Sequence, residues 1–349
     1  MKLSNYVVCK NVLGIQTNSK YIGWSFGHPS KPASDEHINE CRLVVRLIVD
    51  PLKAEASELG NLEKYHYWKG EPGRDELFYE RNFFAGSKLR LLLKGVGSDR
   101  PEIFANRNYI RFIRFRFNNL HSPGYHLTDL VCALLLNKGL CPLHCSGFSI
   151  GNSAVAVVAP PDTGKTLTTM HAVLKGGASF ISEDLGITDG EYFYACPWTS
   201  TFRYYDELSS SWLLRLKMKL MKVFPLAEFL PVPGECKTIE KYIDEKRIAA
   251  KTKITHIAIL ARRSGGVEVL DKERARQIIL NLNRYEFMYM KNPMLTAYSY
   301  FNPEFDVRAM VAAERDILTK LANKTTCLLV QSIDPTKFSE LLLAEITKK

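Results

Sequence analysis

Residues 154–169 read AVAVVAPPDTGKTLTT. Ala154–Val158 is a run of small and β-branched apolar residues, the pattern of a buried strand. Pro160 and Pro161 end that run, Gly164 allows close backbone approach, and Lys165-Thr166 opens a helix. A strand feeding a tight turn and then a helix N-terminus is what a phosphate-binding loop requires. Successive backbone N–H groups then face the anion, and the helix dipole adds partial positive charge. The lysine supplies a full charge for the β- and γ-phosphates, and the following hydroxyl is placed for Mg²⁺. Ala159 stands where the G-x-x-x-x-G-K-[ST] pattern has its first glycine. Pro160 and Pro161 donate no N–H, so fewer amides line the turn.

The next apolar segment, Ala178-Ser179-Phe180-Ile181-Ser182, reads as a buried strand ending in Glu183-Asp184. Acids at the C-terminal end of a strand beside a phosphate loop are placed to hold Mg²⁺ and to accept a proton. An isolated acidic pair at a strand end is ordinarily a solvated turn, and its position beside the lysine loop gives this one a chemical reading.

Working outward, strands and helices alternate. LHCSGFSI (143–150), LGITDG (185–190) and EYFYA (191–195) read as strands around a helix at 164–176. THIAILAR and GGVEVL flank a loop, DKERARQIILNLNRYEF and PEFDVRAMVAAERDILTKLA are helical, TCLLVQS is a buried strand, and PTKFSELLLAEITK is an amphipathic helix. The first third is richer in β signals: CRLVVRLIVD (41–50), DELFYERNFF (75–84), KLRLLLKG (88–95) and NYIRFIRFRF (108–117). HSPGYH (121–126) is the clearest break, and LTDLVCALLLNKG after it reads as a helix closed by Gly139. The expected organisation is a β-rich N-terminal domain over 1–122, for acceptor recognition or assembly, and an α/β nucleotide-binding domain over 123–349.

The 349 residues are 46% apolar and 24% charged, an ordinary globular balance. No apolar run approaches the ~20 residues that span a bilayer. The N-terminal sequence lacks a signal-peptide core, so a cytoplasmic location is expected. Eight scattered cysteines suit reduced, buried thiols. The net charge of +10 is compatible with a nucleotide, an acidic peptide or a surface. No zinc finger, RNP-type motif or Gly-rich basic tail accompanies it, so no specific nucleic-acid partner is expected. Cys141, His144 and Cys145 fall within five residues, but three neighbours on a strand cannot all face one zinc ion.

The motifs resemble those of the HPr kinase/phosphorylase family. Leu143-His144-Cys145 is similar to its Leu-His-Gly, 21 residues (165 − 144) ahead of the lysine. Pro161-Asp162-Thr163-Gly164-Lys165-Thr166 resembles its Asp-Ser-Gly-x-Gly-Lys-Ser loop, and Phe180-Ile181-Ser182-Glu183-Asp184 its Leu-Val-Ala-Asp-Asp, after one extra residue near Gly176-Gly177. The resemblance covers about Leu143 to Asp189. Ala159 in place of the first glycine, Glu183 in place of an aspartate and the missing Arg-Pro-Gly-Arg-Asn stretch imply a divergent relative, similar to kinases that modify peptides or small hydroxylated molecules. It implies a phosphate-loop, carboxykinase-like catalytic fold and an ATP- and Mg²⁺-dependent phosphotransferase. Thr163, Gly164, Lys165, Thr166 and Leu167 would hold the nucleotide's phosphates, with Thr166 and Asp184 on Mg²⁺. Glu183 would take the acceptor proton (the two acids are interchangeable at this level), and His144 would tune charge near the γ-phosphate. The resemblance also implies a homo-oligomer.

Further cations are expected at Arg203, ending the hydroxyl-rich ACPWTSTFR, and at Arg262-Arg263 after THIAILA. SWLLRLKMKLMKVFPLAEFLPVP (211–233) reads as an amphipathic basic helix, fit for a surface role or a lid. The sequence supports two functional classes: a kinase acting on a hydroxyl, with a serine of a peptide or protein as the expected acceptor, or a nucleotide-binding regulatory module without catalysis.

Overall fold

The computed structural model describes residues 2–19, 32–53, 60–62, 65–70, 75–83, 86–112, 123–197, 216, 220, 223–224 and 239–348. Arg203 and nearly all of 211–233 lie outside the described residues. The protein is mixed α/β with two mixed sheets, and it divides into two compact units. The first is Met1–Lys138 with Met288–Val311; the second is Gly139–Phe287 with Ala312–Lys349.

The first unit is built on an eight-stranded sheet. Its elements are β1 (Ser4–Cys9), β2 (Leu13–Thr17), α1 (Asp35–Asn39), β3 (Leu43–Val49), β4 (Gly60–Leu62), β5 (Tyr65–Lys69), β6 (Glu76–Asn82), β7 (Lys88–Lys94), β8 (Glu102–Ala105), α2 (Arg107–Phe112) and α3 (Pro123–Asn137). The strand order is β1-β2-β3-β8-β7-β6-β5-β4, with β2, β3 and β8 parallel and the rest antiparallel. β7 shows why these residues form strands: Leu89, Leu91 and Leu93 alternate inward. The buried Glu80 on β6 is paired by Lys88 and Arg90, each at 2.7 Å.

The strand expected over 108–117 is corrected by the structure: α2 occupies 107–112, and 113–117 lie outside the described residues. The Asn106 side chain accepts from the Tyr109 amide at 2.9 Å, and its carbonyl from the Ile110 amide. That local cap starts a helical turn in a segment whose alternation suggested a strand. The division between units falls after Lys138 and not at 122, because α3 packs on α2 and β3 of the first unit.

The second unit follows with β9 (Cys141–Leu143), β10 (Ser146–Ile150), β11 (Ser153–Val158), α4 (Lys165–Leu174), β12 (Ser179–Ser182), β13 (Gly186–Thr188), β14 (Tyr192–Tyr194), β15 (Lys251–Ala261), β16 (Val267–Val269) and α5 (Lys272–Glu286). After α6 (Pro293–Phe301), which belongs to the first unit, come α7 (Val307–Lys324), β17 (Thr326–Gln331) and α8 (Phe338–Ile346). β11, β15 and β17 are parallel neighbours at the centre of a nine-stranded sheet. β10 and β12 continue it antiparallel beyond β11, and β14, β13 and β9 extend from the first residues of β15. α4 and α8 pack together, and Met170, Val173, Phe338 and Leu342 meet Phe148, Val157 and Val330 of the sheet in one buried cluster. Each such side chain contributes roughly 1.5–3 kcal/mol by leaving water.

Candidate functional site

Strand register assembles the site. Ser146 pairs with Val157, Gly147 with Ser182, and Gly186 with Leu143. The β9–β10 corner (His144-Cys145), the β12–β13 corner (Glu183-Asp184-Leu185) and the end of β11 therefore lie side by side, separated by strand spacings of about 4.8 Å. The two corners approach closely because of two glycines. A Cβ at Gly147 or at Gly186 would strike the fully buried Phe193 ring, which fills the space both leave open.

The β11–α4 turn is a helix N-terminus with a strained entry. Asp162 has φ 60° and Gly164 has φ 122°. A Cβ on Gly164 would also come 3.2 Å from Pro335 Cβ, so residues just ahead of α8 brace the turn from behind. The first i to i−4 bond of α4 runs from the Thr168 amide to the Gly164 carbonyl at 2.9 Å. The amides of Lys165, Thr166 and Leu167 come before it and have no acceptor within the helix. Thr163 is buried beside them.

Lys165 folds back over the turn. Its ammonium donates to the Ala159 carbonyl at 2.8 Å and meets His144 Nε2 at 2.7 Å. Thr166 Oγ1 donates to Glu183 Oε1 at 3.0 Å. Asp184 lies on the other side of the cluster: its Oδ1 is 3.9 Å from His144 Nδ1. The two acids differ in access, with Glu183 2% exposed and the Asp184 side chain 40% exposed. Asp184 also has φ 67°, so strained non-glycine backbone occurs at both sides of the site.

His144, Lys165, Thr166, Glu183 and Asp184, singled out from the sequence, are thus brought into one cluster. Arg203 lies outside the described residues. Arg263 is held by Gln331 Oε1 at 2.5 Å, and Arg262 is exposed at the end of β15. Burial depresses the Lys165 ammonium, against the acidic surroundings of Asp184, Glu286, Cys145 and Glu183. Burial, and then the Lys165 charge, hold His144 well below its usual value, with Asp184 opposing. Burial pushes the Cys145 thiol up, so it is an inert packing group.

Three residues escaped the sequence reading. Glu286, the last residue of α5, places Oε2 3.7 Å from His144 Nδ1. Asn283, one turn earlier, accepts from the His144 amide at 2.9 Å and donates to the Pro142 carbonyl at 3.0 Å. It also donates to the buried Glu314 of α7 at 2.5 Å. Asn283 and Glu286 are three residues apart and share a helix face, the one signal that could have drawn attention to them.

Thr166 and Glu183 are hard oxygen donors in contact, a pair suited to Mg²⁺, which binds few protein ligands and completes its shell with phosphate and water. No larger metal-binding group of His, Cys, Asp and Glu occurs among the described residues. Among the described residues, no helix is long and apolar enough to cross a membrane. No family model matches the chain, and no curated protein sequence matches it.

Proposed function

We propose that this protein is an ATP- and Mg²⁺-dependent kinase that phosphorylates a hydroxyl, built on a phosphate-loop fold of the HPr-kinase/carboxykinase type. The observation that carries the reading is the contact set Lys165–His144 and Thr166–Glu183, which joins a helix-start lysine, its hydroxyl neighbour and a strand-end acidic pair. The amides from Thr163 to Leu167 and the Lys165 ammonium hold the β- and γ-phosphates. Of the two assignments that the sequence leaves open for the acids, burial favours the exchanged one. Glu183, buried and bonded to the Thr166 hydroxyl, belongs to the metal side; Asp184, half-open, is the base that an incoming alcohol can reach.

Thr166 and Glu183 would hold Mg²⁺, which would supply charge neutralisation for the phosphate oxygens. The acceptor oxygen bonds to the γ-phosphorus as the bond from that phosphorus to the bridging oxygen breaks. ADP leaves with the electron pair, and the acceptor proton passes to Asp184. Lys165, held by Ala159 and His144, stabilises the charge as it shifts.

The test is an ATP titration with ADP release on the unaltered protein and Lys165→Ala. Loss of a charge-assisted contact weakens ATP binding by about 10- to 100-fold, with the circular dichroism spectrum retained. Unchanged affinity ends the reading. A non-catalytic nucleotide sensor is the second reading, favoured by Ala159 and the two N–H-less prolines. ATP binding without phosphoryl transfer or hydrolysis would select it.

A further inference from the structure

β9 is the last strand on its side of the nine-stranded sheet and, among the described strands, pairs with β13 alone. Pro142 sits on it, and within sheets proline keeps to edges because it has no N–H to give to a second neighbour. The Pro142 carbonyl and the His144 N–H, two residues apart, project from the same open side. Both residues are buried, so these groups need partners that no strand supplies. Asn283 of α5 supplies both. Its Oδ1 accepts from the His144 N–H at 2.9 Å, and its Nδ2 donates to the Pro142 carbonyl at 3.0 Å. One side-chain amide thus stands in for a neighbouring strand.

The orientation of that amide is forced. The His144 N–H can only donate, so Oδ1 faces it, and both Nδ2 hydrogens turn to the Pro142 carbonyl and Glu314 Oε1. Asn283 and Glu314 are each 1% exposed, and Glu314 reaches the amide from a separate helix, α7. The segment pinned in this way carries the His144 ring, whose Nε2 meets Lys165 Nζ at 2.7 Å. An ammonium only donates, so Nε2 presents its lone pair and the neutral ring carries its proton on Nδ1. With the Ala159 carbonyl, Lys165 therefore has two neutral acceptors. They fix the ammonium without cancelling its charge, which stays free to meet an anion.

We propose that Asn283, anchored by Glu314, is a positioning residue: it pins the β9 edge so that the His144 ring holds Lys165 aimed at the phosphates of the nucleotide. This rests on the kinase reading and adds to it a residue that acts only through His144 and Lys165. A hydrogen bond loses strength steeply as its length and angle drift, so loss of the pin is felt at the ring before it is felt in the fold.

The experiment reverses the polarity of the amide. Asn283→Asp keeps an acceptor for the His144 N–H but sets carboxylate oxygen against the Pro142 carbonyl and Glu314. Adding Glu314→Gln returns a donor to that contact from the opposite side. Leu328→Ala opens a cavity on β17, which pairs with β15 and β16 and not with β9, and serves as the control for lost stability alone. Circular dichroism checks folding, and where Asn283→Asp unfolds, Asn283→Ala replaces it. The first readout is the ring-nitrogen NMR spectrum at pH 7 of protein labelled in its histidines, with His144 identified by the signal missing from His144→Gln. The unaltered protein and Leu328→Ala should show a single tautomer with the proton on Nδ1. Asn283→Asp should move both ring nitrogens toward the average of two tautomers, and the added Glu314→Gln should recover about half of that shift or more. The second readout is ATP affinity. It should weaken by about threefold to tenfold in Asn283→Asp, less than in Lys165→Ala, because the ammonium stays and only its placement suffers. A ring spectrum unmoved by Asn283→Asp, the same movement in Leu328→Ala, no recovery in the double substitution, or unchanged ATP affinity beside a moved spectrum overturns the positioning role. Failure of the unaltered protein to bind ATP removes the kinase reading instead, and the spectrum still decides whether Asn283 holds His144 to Lys165.

Discussion

Lys165 Nζ and His144 Nε2 meet at 2.7 Å in a setting where both residues are buried. Two cations could not occupy these positions together. Burial and the lysine charge therefore keep the imidazole neutral, while Asp184 on the far nitrogen favours its protonation without prevailing.

A stability dependence on pH follows, with a definite sign. The folded His144 value lies below the ordinary 6.5. As pH falls through 6.5, the unfolded chain takes up a proton that the folded one refuses. The contribution is fully present above that pH and is lost on acidification. Urea unfolding at pH 7 and pH 5 should show about 1–2 kcal/mol less stability at the lower pH from this site. His144→Gln should remove that part of the difference. An identical pH slope in the two proteins would show that His144 is not the group refusing the proton.

The proposed exchange of the acid roles predicts opposite phenotypes. Asp184→Asn should keep ATP affinity within about twofold and lower phosphoryl transfer by about 10²–10⁴, the range for loss of a general base. Glu183→Gln still accepts from Thr166 but has lost its charge, so its defect should appear in Mg²⁺-dependent ATP affinity. The reverse pattern would restore the assignment made from sequence.

Gly164→Ala sets a methyl group on backbone at φ 122° and 3.2 Å from Pro335 Cβ. It should destabilise the protein by about 1–3 kcal/mol through backbone strain. ATP binding should weaken more than the thermal midpoint falls, because the turn must shift to relieve the clash. A fully stable Gly164→Ala protein with normal ATP binding would contradict the described turn.

Phe193→Ala empties the space over Gly147 and Gly186. A fully buried phenylalanine replaced by alanine should lower stability by about 3–5 kcal/mol. The two corners carrying His144 and Glu183-Asp184 lose their shared support, so ATP-dependent activity should fall well before global unfolding on a denaturant ramp. Coincident loss of both would mean that the corners do not depend on this ring.

Local signals were legible where residue type and periodicity agreed. The strand, turn and helix at 154–174, the acidic strand end and the leucine alternation of β7 follow directly from side-chain pattern. The helix at 107–112 did not, because a single side-chain cap from Asn106 outweighed the alternation of NYIRFIRFRF. Short strands such as β4 and β8 offer too few residues for any period to register. Glu286, Asn283 and Glu314 were illegible for another reason. Their helices are readable, but that Asn283 and Glu286 meet His144, and that Glu314 meets Asn283, is decided by tertiary packing between segments distant in sequence. The choice between the two acids, open at the level of sequence, is proposed from their exposure, which the sequence does not carry: Glu183 is 2% exposed and the Asp184 side chain 40%.

Pro335 and Phe338 stand directly behind Gly164. A nascent chain leaving the ribosome makes the turn and its lysine long before it makes these supports. On the proposed kinase reading, the braced turn is complete only once residues 335–338 have been made and packed, so a nucleotide would consolidate the folded unit late and would not serve as a template for its early folding.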